Sequence, residues 1–185
     1  MCNQACVSFA EKYLNSEIIK DKEVLEVGAL IINGGIRPIV EGLNPRKYIG
    51  CDILEGNGVD DICSVYDIVS KYGKESFDLV INTEMLEHVK HWRKAINNLK
   101  NVVKENGYIL ITTRSKGFSK HCFPSDYWRY EIEDMKEIFL DFNVISIEPD
   151  LTQPGVFVFA QRNQSINEQN LESINLYNIE RGIRC

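Results

Sequence analysis

The sequence predicts an α/β fold in which a doubly wound parallel sheet carries helices on both faces. Short apolar runs alternate along the chain with stretches whose apolar residues have helical spacing. The connections between them are short, which is typical of strand–helix–strand units that build a parallel sheet. Two further runs, 142–148 and 155–161, are separated by a segment that contains Pro149 and Pro154. These two runs are close enough in sequence to pair antiparallel.

Each element follows from a local pattern. Apolar residues at helical spacing predict an N-terminal helix within 8–20, and runs of aliphatic and β-branched residues predict buried strands. The predicted strands before the closing pair are 23–27, 47–53, 59–63, 77–82 and 108–113. The predicted helices between and after them are 36–43, 64–72, 88–105 and the stretch that carries Met135, Ile138 and Phe139. Of these, 88–105 is the clearest, because Trp92 and Leu99 share an apolar face and Gly107 follows as a helix-ending residue.

Composition limits the class of protein. A chain of 185 residues with 44% hydrophobic residues predicts one globular domain over 1–162, with a C-terminal segment, 163–185, that is a helix or a frayed tail. The net charge of −6 argues against an extended nucleic-acid surface. No apolar run is long enough to span a membrane, and the first residues do not resemble a signal peptide, so we expect a cytoplasmic protein. The six cysteines show no paired CxxC spacing, which favours reduced thiols over zinc.

Two predicted strands end next to a carboxylate. Glu26 is followed by the glycine turn at Gly28, and Asp52 ends the second run. Open α/β sheets bind ligands beyond the carboxyl ends of their strands. Either carboxylate alone is equally well explained as a helix cap or a lysine partner. Together they suit a ligand with a ribose and a positive charge, which favours an adenosyl sulfonium over a phosphate.

The order of several motifs indicates a family. VLEVG, YIGCDI, FDLVINTEMLEHV, GYILITT and FPSDYWRYEIEDM follow one another across residues 22–161. Together they resemble a small class I S-adenosylmethionine-dependent methyltransferase. The resemblance implies a Rossmann-like, seven-stranded, mostly parallel sheet with an antiparallel last strand, and S-adenosyl-L-methionine as the cofactor. Methyl transfer is an in-line displacement, so such a site mainly binds the donor, aligns the nucleophile and excludes water.

The resemblance also implies which residues bind the cofactor. It places Glu26 near the ammonium of the methionine moiety, Asp52 on the ribose hydroxyls and Ile53 against the adenine. It places Gly28 where the backbone approaches the ligand. The further cofactor positions that it implies are Ala29, Asn33, Gly34, Asp61, Ile62, Cys63, Asn82 and Thr83. The sequence departs from the family pattern in a longer, apolar loop after Gly28 and in Ser64, which stands where an acidic residue is usual.

Residues 114–130 are basic and aromatic within an acidic chain. We interpret them as a substrate lid for a small-molecule, glycan-like or peptide acceptor, and their positive charge favours an anionic one. The candidate acceptor contacts are Arg114, Asp126, Trp128 and Arg129. The alternative is an aromatic-packed loop in which Asp126 pairs with Arg129.

Three residues are candidate general bases: His88 and His121, ranked above Tyr127. Glu84, His88 and His91 share a face of the predicted helix and could bind a metal, but a solvated face or a substrate rim is favoured, so no metal is predicted. The leading function is therefore methyl transfer. A non-catalytic adenosyl- or nucleotide-binding protein or partner subunit comes second. An NAD-dependent dehydrogenase comes third, because the glycine loop lacks GxGxxG.

Overall fold

The computed structural model describes residues 3–32, 34–121, 125–164 and 169–185. Its strands are β1 (Glu23–Val27), β2 (Lys47–Asp52), β3 (Asp61–Ile62), β4 (Phe77–Thr83), β5 (Val103–Arg114), β6 (Trp128–Arg129), β7 (Phe142–Pro149), β8 (Gly155–Arg162), β9 (Tyr177–Asn178) and β10 (Ile183–Arg184). Its α-helices are α1 (Gln4–Tyr13), α2 (Ser16–Ile19), α3 (Arg37–Gly42), α4 (Ile68–Tyr72), α5 (Trp92–Asn101) and α6 (Ile132–Ile138). Within those ranges, none of the helices has the length and apolar character that a membrane crossing needs.

Seven strands form the main sheet in the order β3-β2-β1-β4-β5-β8-β7. The pairs from β3 to β5 are parallel, and β8 is antiparallel to both β5 and β7. The predicted fold class is confirmed. The strand order reverses between β1 and β4, and in open α/β sheets such a switch point leaves a crevice at the carboxyl ends of the strands.

Apolar side chains cover both faces of this sheet. Leu25 and Val27 of β1 point into a core that contains the apolar face of α5, whereas Val24 points into a second core formed with α1 and α3. This alternation explains why β1 is apolar on nearly every residue: a strand that is covered on both faces has no solvent side.

Several helices are shorter than the sequence predicts, among them α4, which covers only Ile68–Tyr72 of the predicted 64–72. Asn15 divides the N-terminal stretch, because its side chain accepts the N–H groups of Glu17 and Ile18 and starts a second helix. The predicted helix 88–105 is a 3-10 turn (Leu86–His88) followed by α5, which ends at Asn101. It ends early because the Val102 carbonyl accepts the N–H of Phe77, which draws the chain into the sheet.

The C-terminal segment differs from the helix or frayed tail that was expected. Its described part contains a 3-10 turn (Leu171–Ser173) and two short strands, β9 and β10, which form a small antiparallel sheet with β6. Leu171, Ile174 and Leu176 are buried against the main core. Arg93 of α5 donates to the carbonyls of Leu171 and Ile174, at 2.9 and 2.5 Å. The segment therefore holds β6, and with it the end of the 114–130 stretch, against the body.

Candidate active site

A cavity of about 430 Å³ opens at the carboxyl ends of β1, β2 and β4, at the switch point of the sheet. The loops after these three strands form its walls, and residues from the 114–130 stretch lie at one end. The predicted site residues that line it are Glu26, Gly28, Ala29, Gly34, Asp52, Ile53, Cys63, Thr83, His88, His121 and Tyr127. The structure thus brings together residues from five separate segments of the sequence.

The loop after β1 is fixed by backbone contacts. The N–H groups of Gly28 and Ala29 both donate to the Cys51 carbonyl, at 2.9 and 3.1 Å. Asp52 accepts the N–H of Leu30 with one carboxylate oxygen and that of Leu54 with the other, at 3.2 and 3.1 Å. Asp52 therefore ties the two loops at this end of the cavity together while its side chain remains part of the cavity wall.

Glu26 is buried at the base of the cavity, where the Tyr48 hydroxyl donates a hydrogen bond to its Oε2. Burial raises the pKa of Glu26 to about 8, with Arg37 opposing the shift and Asp60 adding to it. A carboxyl group with this pKa gains most from a nearby cation, because a positive charge stabilises its ionised form. Glu26 is thus suited to a ligand that brings an ammonium group.

Gly28 meets a steric and a conformational requirement of this loop. Its φ is +82°, and a Cβ added there would lie 2.9 Å from the Cβ of Met85. We expect Gly28→Ala to destabilise the protein by about 1–3 kcal/mol, since both strain and the clash must be accommodated. Gly42→Ala is the matched control, because nothing lies within 4 Å of an added Cβ there. Chemical denaturation measures both; equal stability of the two variants would contradict the account.

Three predicted cofactor residues are not part of the cavity wall. The Asn82 side chain is buried below the cavity and donates to the Val27 carbonyl at 2.6 Å, which joins β4 to β1. Asp61 accepts from Lys71 and Tyr72 at 2.5 and 2.7 Å, and Ile62 is exposed at the sheet edge. β3 is the edge strand of the sheet, and it has only two residues. The residues that line the cavity are the next two along the chain, Cys63 and Ser64. Asn33 lies outside the described residues.

None of the four predicted acceptor contacts lines the cavity. Arg114 forms ion pairs with Glu84 and with Asp150, and its side chain is buried. Arg129 binds both carboxylate oxygens of Asp126, at 2.6 and 2.7 Å. The alternative interpretation, in which Asp126 pairs with Arg129, is what the structure shows. The Trp128 indole donates to the Lys90 carbonyl at 3.1 Å. The two arginines are thus paired with buried carboxylates and do not offer their charge to an acceptor, whereas Lys116 and Lys120 of the same stretch remain exposed.

Arg129 is therefore expected to act on stability. Arg129→Ala leaves the buried Asp126 carboxylate without its ion-pair partner, so we expect a loss of about 3–5 kcal/mol in the free energy of unfolding. Lys120→Ala is the control within the same stretch, since Lys120 and its partner Glu180 are both about half exposed; such pairs contribute about 0–1 kcal/mol. Denaturant titration measures the stability of both variants. An Arg129→Ala protein that keeps wild-type stability but has a raised KM for the acceptor would instead support a role of Arg129 in acceptor binding.

The sequence did not point to Glu87, which is fully buried behind the cavity-lining residues His88 and His121. Its Oε2 accepts from the Thr113 hydroxyl at 2.9 Å, and its Oε1 has no hydrogen-bond partner among the described residues. The Nε2 atoms of His88 and His121 lie 3.8 and 3.9 Å from that Oε1. The signal was present in the sequence as Glu84-Met85-Leu86-Glu87-His88. A continuous helix would have placed Glu84, His88 and His91 on one face, whereas the 3-10 turn directs Glu87 inward and leaves His91 exposed.

His88 is held by its second ring nitrogen, and His121 is held by its backbone. The Nδ1 of His88 is 2.5 Å from the Ser125 carbonyl, whereas the backbone N–H of His121 donates to Asp126 Oδ2 at 2.9 Å. The Nδ1 of His121 lies 3.2 Å from the same carboxylate oxygen but forms no hydrogen bond with the described residues. The rings meet edge to face with centroids 4.7 Å apart. Burial, followed by the neighbouring His88, lowers the pKa of His121. A histidine with a lowered pKa is neutral at physiological pH and can accept a proton or ligate a metal.

Beside this cluster, Glu84 stands in the left-handed region with a φ of +53°. Such a conformation is strained for a residue other than glycine and is most frequent at functional sites. Burial and the neighbouring Glu87 carboxylate raise the pKa of Glu84, and Arg114 opposes that shift. The ion pair with Arg114 holds this turn in place, so that the residues after Glu84 face the cavity.

The fold and the cavity define a Rossmann-like α/β protein with a nucleoside-sized site at its switch point. A family model described as a methyltransferase domain matches residues 9–175. The chain therefore belongs to the methyltransferase domain family.

Similar proteins agree with this assignment. A ubiquinone biosynthesis O-methyltransferase of Vibrio atlanticus (strain LGP32) is 29% identical over 115 residues, covering 55% of this chain and 47% of the relative. The chain thus matches about half the length of that curated relative. An S-adenosylmethionine-dependent methyltransferase from Mesorhizobium loti superposes with a TM-score of 0.60 at 12% identity, over 85% of this chain and 98% of that one.

A third relative was solved with ligands. The Burkholderia thailandensis 1,6-didemethyltoxoflavin-N1-methyltransferase has a TM-score of 0.60 at 14% identity and covers 80% of this chain and 76% of that one. Its crystal contains 1,6-didemethyltoxoflavin and S-adenosylhomocysteine. At this level of identity the likeness to both solved structures shows a shared fold.

Proposed function

We propose that the protein transfers the methyl group of S-adenosylmethionine to a hydroxyl oxygen of a small-molecule acceptor. The observation that carries the proposal is the arrangement of one cavity: Glu26 and Asp52 line it at the carboxyl ends of β1 and β2, and His88 and His121 line it with the buried Glu87 carboxylate behind them. The name of the Vibrio relative, an O-methyltransferase, supports the same acceptor atom.

The donor end suits the two polar parts of S-adenosylmethionine. We place the ribose hydroxyls on the Asp52 carboxylate and the amino group near Glu26, which the cation would convert to its ionised form. The Gly28 loop lets the backbone approach the ligand closely, since a side chain there would meet Met85. We assign the adenine contacts to Ile53, Cys63 and Ser64, which line the same cavity.

The acceptor end suits an oxygen nucleophile. A hydroxyl group is a weak nucleophile until its proton is removed, whereas an amine or a thiolate needs less assistance. His88 and His121 are the groups that we place beside the acceptor hydroxyl, with Tyr127 lining the same end of the cavity. Because the pKa of His121 is lowered, its ring is neutral at physiological pH and a nitrogen lone pair is available.

The size and charge of the cavity favour a small acceptor. Ligand sites for small molecules typically enclose about 300–1,000 Å³, and this cavity of about 430 Å³ must hold the donor as well. Arg114 and Arg129 both form buried ion pairs. Neither side chain is therefore available to bind a polymer end or a phosphate group. We therefore propose a small acceptor that presents a hydroxyl group and does not require a negative charge.

Transfer of a radiolabelled methyl group tests the proposal. The enzyme is incubated with S-adenosylmethionine carrying a tritiated methyl group and with cell extract divided into small-molecule, protein and nucleic-acid fractions. We expect label in the small-molecule fraction, in a product that resists mild base as an ether does. Label confined to protein or nucleic acid would contradict the proposed acceptor, and donor binding without turnover in any fraction would favour a non-catalytic adenosyl-binding protein.

A further inference from the structure

We propose that Glu87, His88 and His121 bind a divalent transition-metal ion at the acceptor end of the cavity. The ion binding itself rests on geometry, whereas its role in catalysis rests on the proposed function. The candidate ligand atoms, one from each residue, all lie within 4.8 Å of one another.

The spacing of these atoms suits an ion and excludes a direct hydrogen bond. Glu87 Oε1 lies 3.8 Å from His88 Nε2 and 3.9 Å from His121 Nε2. Hydrogen bonds end near 3.2 Å, so the carboxylate does not share a proton with either ring at these distances. Two atoms that each lie about 2.1 Å from one ion at a tetrahedral angle are about 3.4 Å apart. Small rotations of the two rings would therefore bring these pairs into coordination range.

The buried Glu87 carboxylate points to a missing partner. Its side chain is fully buried, its Oε2 is occupied by Thr113, and its Oε1 has no hydrogen-bond partner within the described part of the chain. Buried polar atoms nearly always have a partner, and a buried charge in particular is paired or coordinates a metal. The unpartnered oxygen faces the two imidazoles, which is where a cation would satisfy it.

The groups behind the histidines fit the same interpretation. Histidines that bind metals usually present the second ring nitrogen to a carbonyl or carboxylate, which fixes the ring and its tautomer. Here His88 Nδ1 contacts the Ser125 carbonyl, and a proton on that nitrogen leaves the Nε2 lone pair directed toward Glu87. The second nitrogen of His121 lies 3.2 Å from Asp126 Oδ2 without hydrogen-bond geometry, and the His121 backbone N–H donates to that oxygen at 2.9 Å. Asp126 is in turn bound by Arg129 through both carboxylate oxygens.

The ligand set indicates the class of ion. Two imidazoles and one carboxylate suit Zn²⁺, Fe²⁺, Co²⁺ or Mn²⁺, whereas Mg²⁺ and Ca²⁺ prefer sites made of oxygen atoms. Three protein ligands leave at least one coordination position open, as in catalytic zinc sites. His88 and His121 line the cavity and Glu87 is buried behind them, so the open position would face a bound acceptor.

The chemical role follows from that open position. An acceptor hydroxyl bound to the ion loses its proton to water more readily, and the O–H electron pair stays on oxygen. That oxygen forms a bond to the methyl carbon as the carbon–sulfur bond breaks. The electron pair of the broken bond goes to sulfur, which leaves as the neutral thioether of S-adenosylhomocysteine. The net products are the methyl ether, S-adenosylhomocysteine and one proton.

Cobalt titration tests the site without an activity assay. The full chain is dialysed against a chelator, then titrated with Co²⁺ while its visible absorption is recorded, and Zn²⁺ is added to displace it. We expect one Co²⁺ per chain and at least tenfold weaker binding in Glu87→Gln, His88→Ala and His121→Ala. His91→Ala is the matched control, because His91 is exposed and outside the cluster; it should bind Co²⁺ as the wild type does.

The outcomes separate the metal site from the methyl transfer. Absence of Co²⁺ binding by the wild-type protein, or binding that none of the three variants weakens, would overturn the proposed site. Full methyl transfer after chelation would remove the ion from catalysis and leave the proposed function intact. A site that binds Co²⁺ in a protein that transfers no methyl group would sustain the metal inference and refute the function. The same cooperative unfolding transition as the wild type in each of the three variants serves as the check that the fold is retained.

Discussion

His88→Ala is expected to lower kcat by about 10²–10⁴-fold, the usual contribution of a group that assists proton removal. The reason is the position of His88 at the acceptor end, where its Nε2 faces Glu87 and its Nδ1 is held by the Ser125 carbonyl. The variant loses either a base or a metal ligand, and both losses slow the chemical step. Single-turnover kinetics measure this, with saturating S-adenosylmethionine and the acceptor found by labelling.

Two controls show whether a loss of activity in His88→Ala comes from the chemical step or from misfolding: its affinity for the donor, and the activity of a His91→Ala variant. S-adenosylmethionine binding should stay within about threefold of wild type in His88→Ala, because the substitution leaves Glu26 and Asp52, the residues that we assign to the donor, unchanged. His91→Ala should keep the wild-type kcat, since that side chain is exposed. A loss of less than tenfold in correctly folded His88→Ala would show that neither a base nor a metal ligand acts at this position.

Glu26→Gln is expected to weaken S-adenosylmethionine binding by roughly 10- to 150-fold, which corresponds to a charged hydrogen bond of about 1.5–3 kcal/mol. The buried carboxyl has a pKa of about 8, so donor binding must ionise it and release a proton near neutral pH. Wild-type affinity should therefore rise between pH 6 and pH 8, and the variant should lose that dependence. Titration calorimetry in two buffers of different ionisation enthalpy measures both the affinity and the proton release.

Glu26→Gln should also stabilise the ligand-free protein. The pKa of Glu26 is higher in the folded state than its ordinary value of 4.5, so the folded state holds a proton that the unfolded chain releases. The stability contributed by this group therefore falls as pH rises from about 4.5 toward 8. Glu26→Gln removes this dependence while keeping an acceptor for the Tyr48 hydroxyl. Thermal unfolding should show that the variant is more stable than the wild type and that this difference in stability increases with pH between about 4.5 and 8.

Glu55→Gln is the matched control for both measurements, because Glu55 is an exposed carboxylate in the loop after β2 and does not line the cavity. It should bind the donor and unfold as the wild type does. A Glu26→Gln protein with wild-type donor affinity would refute the placement of the ligand's amino group. A variant less stable than wild type from pH 5 to pH 9 would refute the raised pKa.

Much of the fold could be predicted because its strands are buried on both faces. The run at 23–27 matches β1 residue for residue, and the predicted strands 142–148 and 155–161 each end one residue short of β7 and β8. Glu26 and Asp52 could be assigned to one cavity because parallel strands bring their carboxyl ends to the same edge of the sheet. These inferences need only local periodicity and topology.

The rest depends on contacts between residues distant in sequence. Arg114 forms an ion pair with Asp150, and Trp128 of β6 lies opposite Asn178 of β9 in the small sheet. No local sequence pattern predicts either contact. Two of the four basic residues of the 114–130 stretch, Arg114 and Arg129, are in fact paired with buried carboxylates. Glu87 was missed for a different reason: a short 3-10 turn replaces the predicted helix, and this changes which side chains face inward.

The central claim is that one cavity binds the donor at Glu26 and Asp52 and presents its methyl group to Glu87, His88 and His121. A crystal structure of the complex with S-adenosylhomocysteine tests this most directly. We expect ribose hydroxyls within hydrogen-bond distance of Asp52, the amino group beside Glu26 and the sulfur directed toward the histidine cluster. A ligand bound elsewhere, or one whose sulfur points away from that cluster, would contradict it.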